Sequence, residues 1–379
     1  MKLFWMELKK LFTWPVIVIV ILLNLLLFKL LVEFELDYFP NGRPAIDIFQ
    51  VEREMIDKYG EVIDEEEFAD FRATYENRVE QAEDYLRNNE LAIQSGVDSY
   101  EEFRKGVGND KEIDQVSSHI MFELEEDLFW ELQAREGIME RYEARVTDLE
   151  NAIHFEPHSK QELKRIKDML SNEKFQYYDG QVIENFYRYA SQVLAIVLIS
   201  IAIVLSPIYI RDKMREVIPL QYTSKKGRRT FQLKWRAGLT AIGILLMIHL
   251  LIYGGLYLTN DTSPYFFMHV YSMSYQLVWY DITFGEFILL TVAAMIVIGY
   301  VFGILTMACS ALVANYMTQI GTQIVIFCAF VIVVIPIGIH RMIWTIYLPW
   351  IVPAIYLFLI ATAFFLNRYV KRRELVRDI

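Results

Sequence analysis

The sequence predicts an all-α polytopic membrane protein: six transmembrane helices, with a large helical extracytoplasmic domain between the first and the second. Two observations predict it. Six apolar windows of about twenty residues, the length that crosses about 30 Å of hydrocarbon at about 1.5 Å per residue, fall near 12–32, 189–210, 237–258, 284–308, 320–339 and 343–366. Residues 33–188, between the first two windows, hold 40 of the 48 acidic residues and 18 of the 37 basic ones. That stretch therefore carries −22 and the remainder +11, so the whole-chain charge of −11 describes neither part.

Residues 1–11 carry Phe4, Leu8 and Leu11 at helical spacing on one face. The run 12–32 is longer than a signal-peptide core, and no small-x-small cleavage site follows in 29–34, so it reads as an uncleaved anchor. Within 33–188, Ile113, Val116, Ile120, Leu124, Leu128, Leu132, Met139, Tyr142, Val146, Leu149 and Ile153 recur every three or four residues, with a gap near 135–138. This predicts one long amphipathic helix over 112–153. Phe68, Phe71, Tyr75, Val79, Ala82 and Leu86 predict a second, and Leu163, Ile166, Met169 and Leu170 a third. Tyr59-Gly60, Ser95-Gly96, the stretch 106–110 and Pro157 are turn or helix-end signals. The domain is expected to be a helical bundle or stalk, large enough for its own core.

Residues 189–366 form a five-helix transmembrane region interrupted by the basic loop 211–236, and 367–379 form a basic tail. With six crossings, 1–11, 211–236, 309–319 and 367–379 share one side and carry 17 basic against 5 acidic residues. The positive-inside bias makes that side, and both termini, cytoplasmic in a bacterial cell membrane. The acidic domain and the short loops 259–283 and 340–342 fall outside. Pro336, Pro349 and Pro353, with His340 and Arg341, leave the last two spans as complete crossings or as a broken, re-entrant hairpin.

The motifs of several enzyme classes are missing: no G-x-x-x-x-G-K-[ST], no H-E-x-x-H, no G-x-S-x-G and no G-x-G-x-x-G after a strand. The chain is expected to be no enzyme, with no cofactor of its own. His154, His158 and Glu162 have ligand-like spacing, but Pro157 interrupts them and no metal site is expected. Cys309 and Cys328 both belong to the membrane region, so no disulfide braces the acidic domain. Its acidic surface reads as a solvated helical face, with capture of cationic peptides or divalent ions as the competing reading. The basic loop has little interleaved aromatic surface, which argues against nucleic acid and for anionic lipid headgroups. Asn260-Asp261-Thr262 is a formal glycosylation sequon, read as incidental.

Ionisable residues inside spans are the default functional candidates, and here they are Lys29, His249 and Glu286. Lys29 is close enough to the interface to snorkel. Glu286, at the outer end of the fourth span, is either an interfacial residue or part of a transport path.

The most specific stretch is 211–234, which holds an acidic residue, a Leu-x-x-Thr/Ser element, a Gly-Arg pair and a following Lys, in that order. It resembles the coupling loop of ABC type-2 exporter permeases, the matching positions being Glu216, Leu220, Thr223, Ser224, Gly227, Arg228 and Lys234. A common family variant has Gly shortly after the acidic residue, where this chain has Val217-Ile218-Pro219. Residues 1–11 are similar to the family's amphipathic interface helix. The resemblance covers the membrane part and not the acidic domain. It implies a dimer with a second permease copy or paralogue, and a separate ABC ATP-binding subunit that carries ATP and Mg. It further implies coupling through Glu216, Leu220, Thr223, Gly227 and Arg228, and outward movement of an amphipathic or hydrophobic substrate. The rival expectation is a membrane-anchored sensor or scaffold whose acidic domain binds an envelope ligand or partner.

Overall fold

The computed structural model describes residues 2–155, 159–218, 220, 223, 227 and 229–376. Among them there is no β-strand, only an isolated bridge between Val278 and Trp344. Six helices are long and apolar enough to cross a membrane, as a multi-pass membrane protein requires: Trp14–Val32, Gln181–Met214, Arg229–Asn260, Phe284–Leu312, Tyr316–His340 and Ile351–Glu374. They match the six expected windows and run a few residues further at most ends. The sixth begins at Ile351 rather than near 343, because 341–350 form turns around Pro349 before Pro353 enters the first helical turn.

The chain divides into two compact units: Met1–Phe39, Glu184–Ser263 and Val278–Ile379 make one, and Pro40–Ile183 with Pro264–Leu277 make the other. The first unit contains the apolar helices. Its second span is the packing centre, with 67% of its apolar window buried against 11% for the first and sixth spans. The third and fourth spans pack closely because Gly299 and Gly303 leave room. A Cβ on Gly299 would stand 2.8 Å from Leu246 Cδ2, and one on Gly303 would overlap Ile242. Asn260, the sequon residue, is buried and donates to Glu35 O (2.9 Å) and Asn185 Oδ1 (2.9 Å), which leaves it inaccessible to a glycosyl group.

The second unit is a helical bundle. Helix Glu65–Asn88 starts with a capping box between Asp64 and Glu67, and buries Phe68, Phe71, Ala82 and Leu86 as its periodicity predicts. Helix Lys160–Ser171 starts at the cap Ser159 and buries Ile166 and Met169. Helix Ala45–Tyr59, which burial of Phe49, Val51, Glu52 and Met55 anchors, had no sequence expectation because two of its inward positions are acidic. The expected single helix over 112–153 is instead two, Lys111–Ser118 with a π turn to Glu123, then Asp127–Phe155. The break comes at Glu125, whose φ of 53° is left-handed, within four nearly consecutive carboxylates, and Trp130 Nε1 donates to the freed Met121 carbonyl (3.1 Å). The apolar gap at 135–138 is no break. Arg135 and Glu136 occupy core positions, Arg135 paired with Glu54 (2.6 Å) and Glu131 (2.8 Å), and Glu136 with Arg104 (2.6 Å) and the Tyr75 hydroxyl (2.7 Å).

The stretch expected as a plain outer loop, 259–283, contributes Pro264–Leu277 to the second unit. Both Tyr177 and Tyr178 donate their N–H to Ser272 O (2.9 Å each), and Tyr265 stacks on Phe49 at 5.8 Å between ring centres. The acidic unit is thus discontinuous in sequence, and residues 33–39 and 184–188 belong to the first unit.

Candidate functional site

The basic loop is rooted in a set of interlocked helix ends. Pro207 has no N–H to donate and interrupts the second span after Leu205. The new helix Pro207–Met214 then starts with unpaired N–H groups. Ser310, from the end of the fourth span, fills that need: its Oγ accepts from Tyr209 N (3.1 Å) and Ile210 N (3.2 Å), while its hydroxyl donates to Ser206 O (2.8 Å). The basic residues cap other ends. Lys213 Nζ donates to Val313 O (2.6 Å), the C-cap of the fourth span, and Arg211 Nη1 donates to Lys10 O (3.3 Å) at the end of helix Lys2–Leu11. That first helix packs on the third span through buried Leu8 and Leu11, with Phe4 half-buried.

Beneath these caps lies a buried ion pair between Asp212, on the second span, and Lys234, at the start of the third. Tyr209 stacks on Phe231 (4.7 Å between centres) and donates its hydroxyl to Phe231 O (3.3 Å). The matched Lys234 therefore fastens two spans together. Its partner Asp212 is the first carboxylate after Glu184, and nothing in its local pattern marks it as a buried partner.

Glu216 ends helix Pro207–Met214. Its φ is 54°, its N–H meets Lys213 O (3.1 Å), and Val217 N meets Asp212 O (3.1 Å). These are the two bonds of a Schellman cap, with glutamate in the left-handed position that glycine normally fills. The Glu216 side chain is exposed, and so are Leu220 and Thr223, whose Oγ1 donates to Leu220 O (3.2 Å). Gly227 has a φ of 44° and accepts from Thr230 N (3.1 Å). Arg228 and Ser224 lie outside the described residues. Glu286 is exposed, and with Thr283 it closes the capping box that starts the fourth span (Thr283 N to Oε2 2.9 Å; Glu286 N to Thr283 Oγ1 3.2 Å). Lys29 is exposed and pairs with Glu33.

His249 is the buried exception among the three ionisable span residues. Its Nδ1 donates to Leu245 O (2.7 Å), and its Nε2 stands 3.0 Å from Asn24 Oδ1 and 3.1 Å from Ser200 Oγ. Asn24 Nδ2 donates to Val20 O (2.8 Å) and Ser200 Oγ (2.9 Å), which turns its oxygen toward the imidazole. Ser200 Oγ also donates to Ile196 O (2.9 Å). Asn24, His249 and Tyr253 form the polar floor of an otherwise apolar cleft of about 450 Å³, walled by Val20, Phe28 and Ile248.

In the acidic unit Glu52 is fully buried. It accepts from the Asp179 backbone N–H and from the Tyr265 hydroxyl (3.3 Å), with Arg141 Nη1 at 3.5 Å. Burial, reinforced by the neighbouring Asp179 carboxylate, raises its pKa to about 8. Glu52 is therefore mostly neutral at pH 7. His154 ends helix Asp127–Phe155, Glu162 serves the Ser159 cap, and His158 lies outside the described residues.

No family model, no curated protein and no solved structure matches this chain.

Proposed function

We propose that the chain is the membrane-spanning permease subunit of an ATP-driven exporter in the bacterial cell membrane, paired with a second copy or paralogue. A separate ABC ATP-binding subunit supplies ATP and Mg, and the basic ends face it from the cytoplasm. The acidic unit then stands outside, where it shapes the exit or gathers substrate. The observation that carries this reading is the base of the loop 211–236. Its two roots are joined by the buried Asp212–Lys234 pair and capped onto the fourth span and the first helix, while Glu216, Leu220 and Thr223 project exposed from it. A push on such a loop moves several helices together, because a packed base shifts as a body rather than deforming. The substrate is amphipathic or hydrophobic, in keeping with the cleft of about 450 Å³ between the first and third spans.

The rival reading, an anchored sensor or scaffold, draws on the lined cavity of the acidic unit described below. One experiment separates them: affinity purification of the full chain from its native membrane, wild type beside Glu216→Arg, followed by mass spectrometry and an ATPase assay. Recovery of a P-loop ATPase with the wild type and its loss from a normally eluting variant supports the permease. A chain that repeatedly purifies without any ATPase overturns it in favour of the sensor.

A further inference from the structure

The acidic unit, Pro40–Ile183 with Pro264–Leu277, contains 36 acidic and 17 basic residues, a net charge of −19. Against that background a cavity of about 170 Å³ is lined by Arg141, Arg145 and Lys174, with Asp148 as the one carboxylate of its lining. Asp148 is exposed at the rim. Phe175, Tyr271 and Tyr275 supply aromatic wall, so a segment remote in sequence completes the site. The volume is close to that of a cavity of about 150 Å³ known to hold benzene.

Both guanidinium groups have donors left over. Arg141 binds Asp179 Oδ2 through Nη2 (2.9 Å), but its buried Nη1 makes no hydrogen bond. Arg145 donates from Nη1 to Tyr142 O (2.6 Å) and from Nη2 to Glu65 Oε1 (3.2 Å), while its buried Nε has no acceptor among the described residues. A buried polar group left without a partner is costly, and more so when charged. Glu52, 3.5 Å from Arg141 Nη1, is mostly protonated at pH 7 and leaves that cation largely to Asp179. Arg145 is also held in place, 3.7 Å over the Tyr142 ring. Two guanidinium groups with unspent donors, Lys174 beside them in its pair with Asp168 (3.3 Å), and aromatic walls around a benzene-sized space describe a receptor for one oxyanion on an apolar body.

We propose that this cavity binds a small carboxylate carried on an aromatic or branched apolar group, the carboxylate engaging Arg141 and Arg145 and the apolar body lying against the aromatic walls. The test uses the purified full chain in nanodiscs of zwitterionic lipid, with empty nanodiscs as background. Benzoate is the probe, benzamide its uncharged counterpart and inorganic phosphate the competing anion, all followed by saturation-transfer NMR and titration. Benzoate is expected to bind with a Kd of about 1 mM or tighter, and benzamide at least tenfold more weakly. Arg145→Gln should weaken benzoate at least tenfold. Ala152→Phe, which fills the cavity without touching a charge, should abolish binding while the chain elutes normally. Absence of benzoate binding, equal binding of benzamide, or unchanged binding in both variants would overturn the site. Phosphate binding more tightly than benzoate would overturn the assignment to a carboxylate.

Discussion

Glu52→Gln is the perturbation that most directly tests the buried chemistry of the acidic unit. The carboxyl is fully buried and its pKa stands near 8 in the folded chain, against 4.5 for an unperturbed glutamate. Between those values the folded chain holds a proton that the unfolded chain has lost, so stability falls as pH rises. The slope is about 1.4 kcal/mol per pH unit for one proton. The stabilisation is fully present below pH 4.5 and is lost as pH climbs through 8, which amounts to about 3 kcal/mol between pH 5 and pH 8. Glutamine copies the protonated carboxyl in shape. Its oxygen still accepts the Asp179 N–H, and its amide donates to the Tyr265 hydroxyl. The assay is hydrogen exchange of the 177–183 amides in the full chain, wild type against variant, at each pH. The two should be nearly equal at pH 5, and the variant about a hundredfold more protected at pH 8. If the difference between them is the same at both pH values, Glu52 is ionised in the folded state and the reasoning fails.

Two further outcomes bear on the base of the basic loop. Asp212→Asn strands the Lys234 ammonium in a buried position and should cost about 3–5 kcal/mol, whereas the double change Asp212→Leu, Lys234→Met should recover most of it. Retention of monodisperse protein after graded heating in detergent reads both, and an Asp212→Asn chain that melts with the wild type would refute a buried pair. Glu216→Gly should stabilise by about 1 kcal/mol, since glycine takes the left-handed cap without the Cβ penalty, and Glu216→Ala should not. Melting of the three chains side by side decides this, and equal gains from glycine and alanine would remove the cap from the explanation. Under the proposed function Glu216→Gly also loses the ATPase partner while gaining stability, which separates recognition by the carboxylate from structural damage.

Some of this protein was legible along the chain. Apolar runs of membrane length located the six long helices, because crossing hydrocarbon is a demand on consecutive residues. Period-3.6 patterns located Glu65–Asn88 and Lys160–Ser171, and their caps are local chemistry as well. The same rule failed wherever a charge took a core position. Arg135 and Glu136 resemble a break and are core, while Glu52 hides helix Ala45–Tyr59. Of the residues singled out for function, Glu286 closes a capping box, and the exposed Glu216, Leu220 and Thr223 acquired their setting only from Asp212, Ser310 and Lys10, which lie on separate segments.

The sequence by itself determined the helical class, the number of apolar helices and the division of charge, since these depend on composition and spacing within about twenty residues. Tertiary structure alone decided that Pro264–Leu277 completes the acidic unit, that Asp212 meets Lys234, that His249 meets Asn24, and that three cations line one cavity. Each of these joins residues tens to hundreds of positions apart. No local periodicity encodes such a meeting, because its energy is gained only when distant side chains are desolvated against one another.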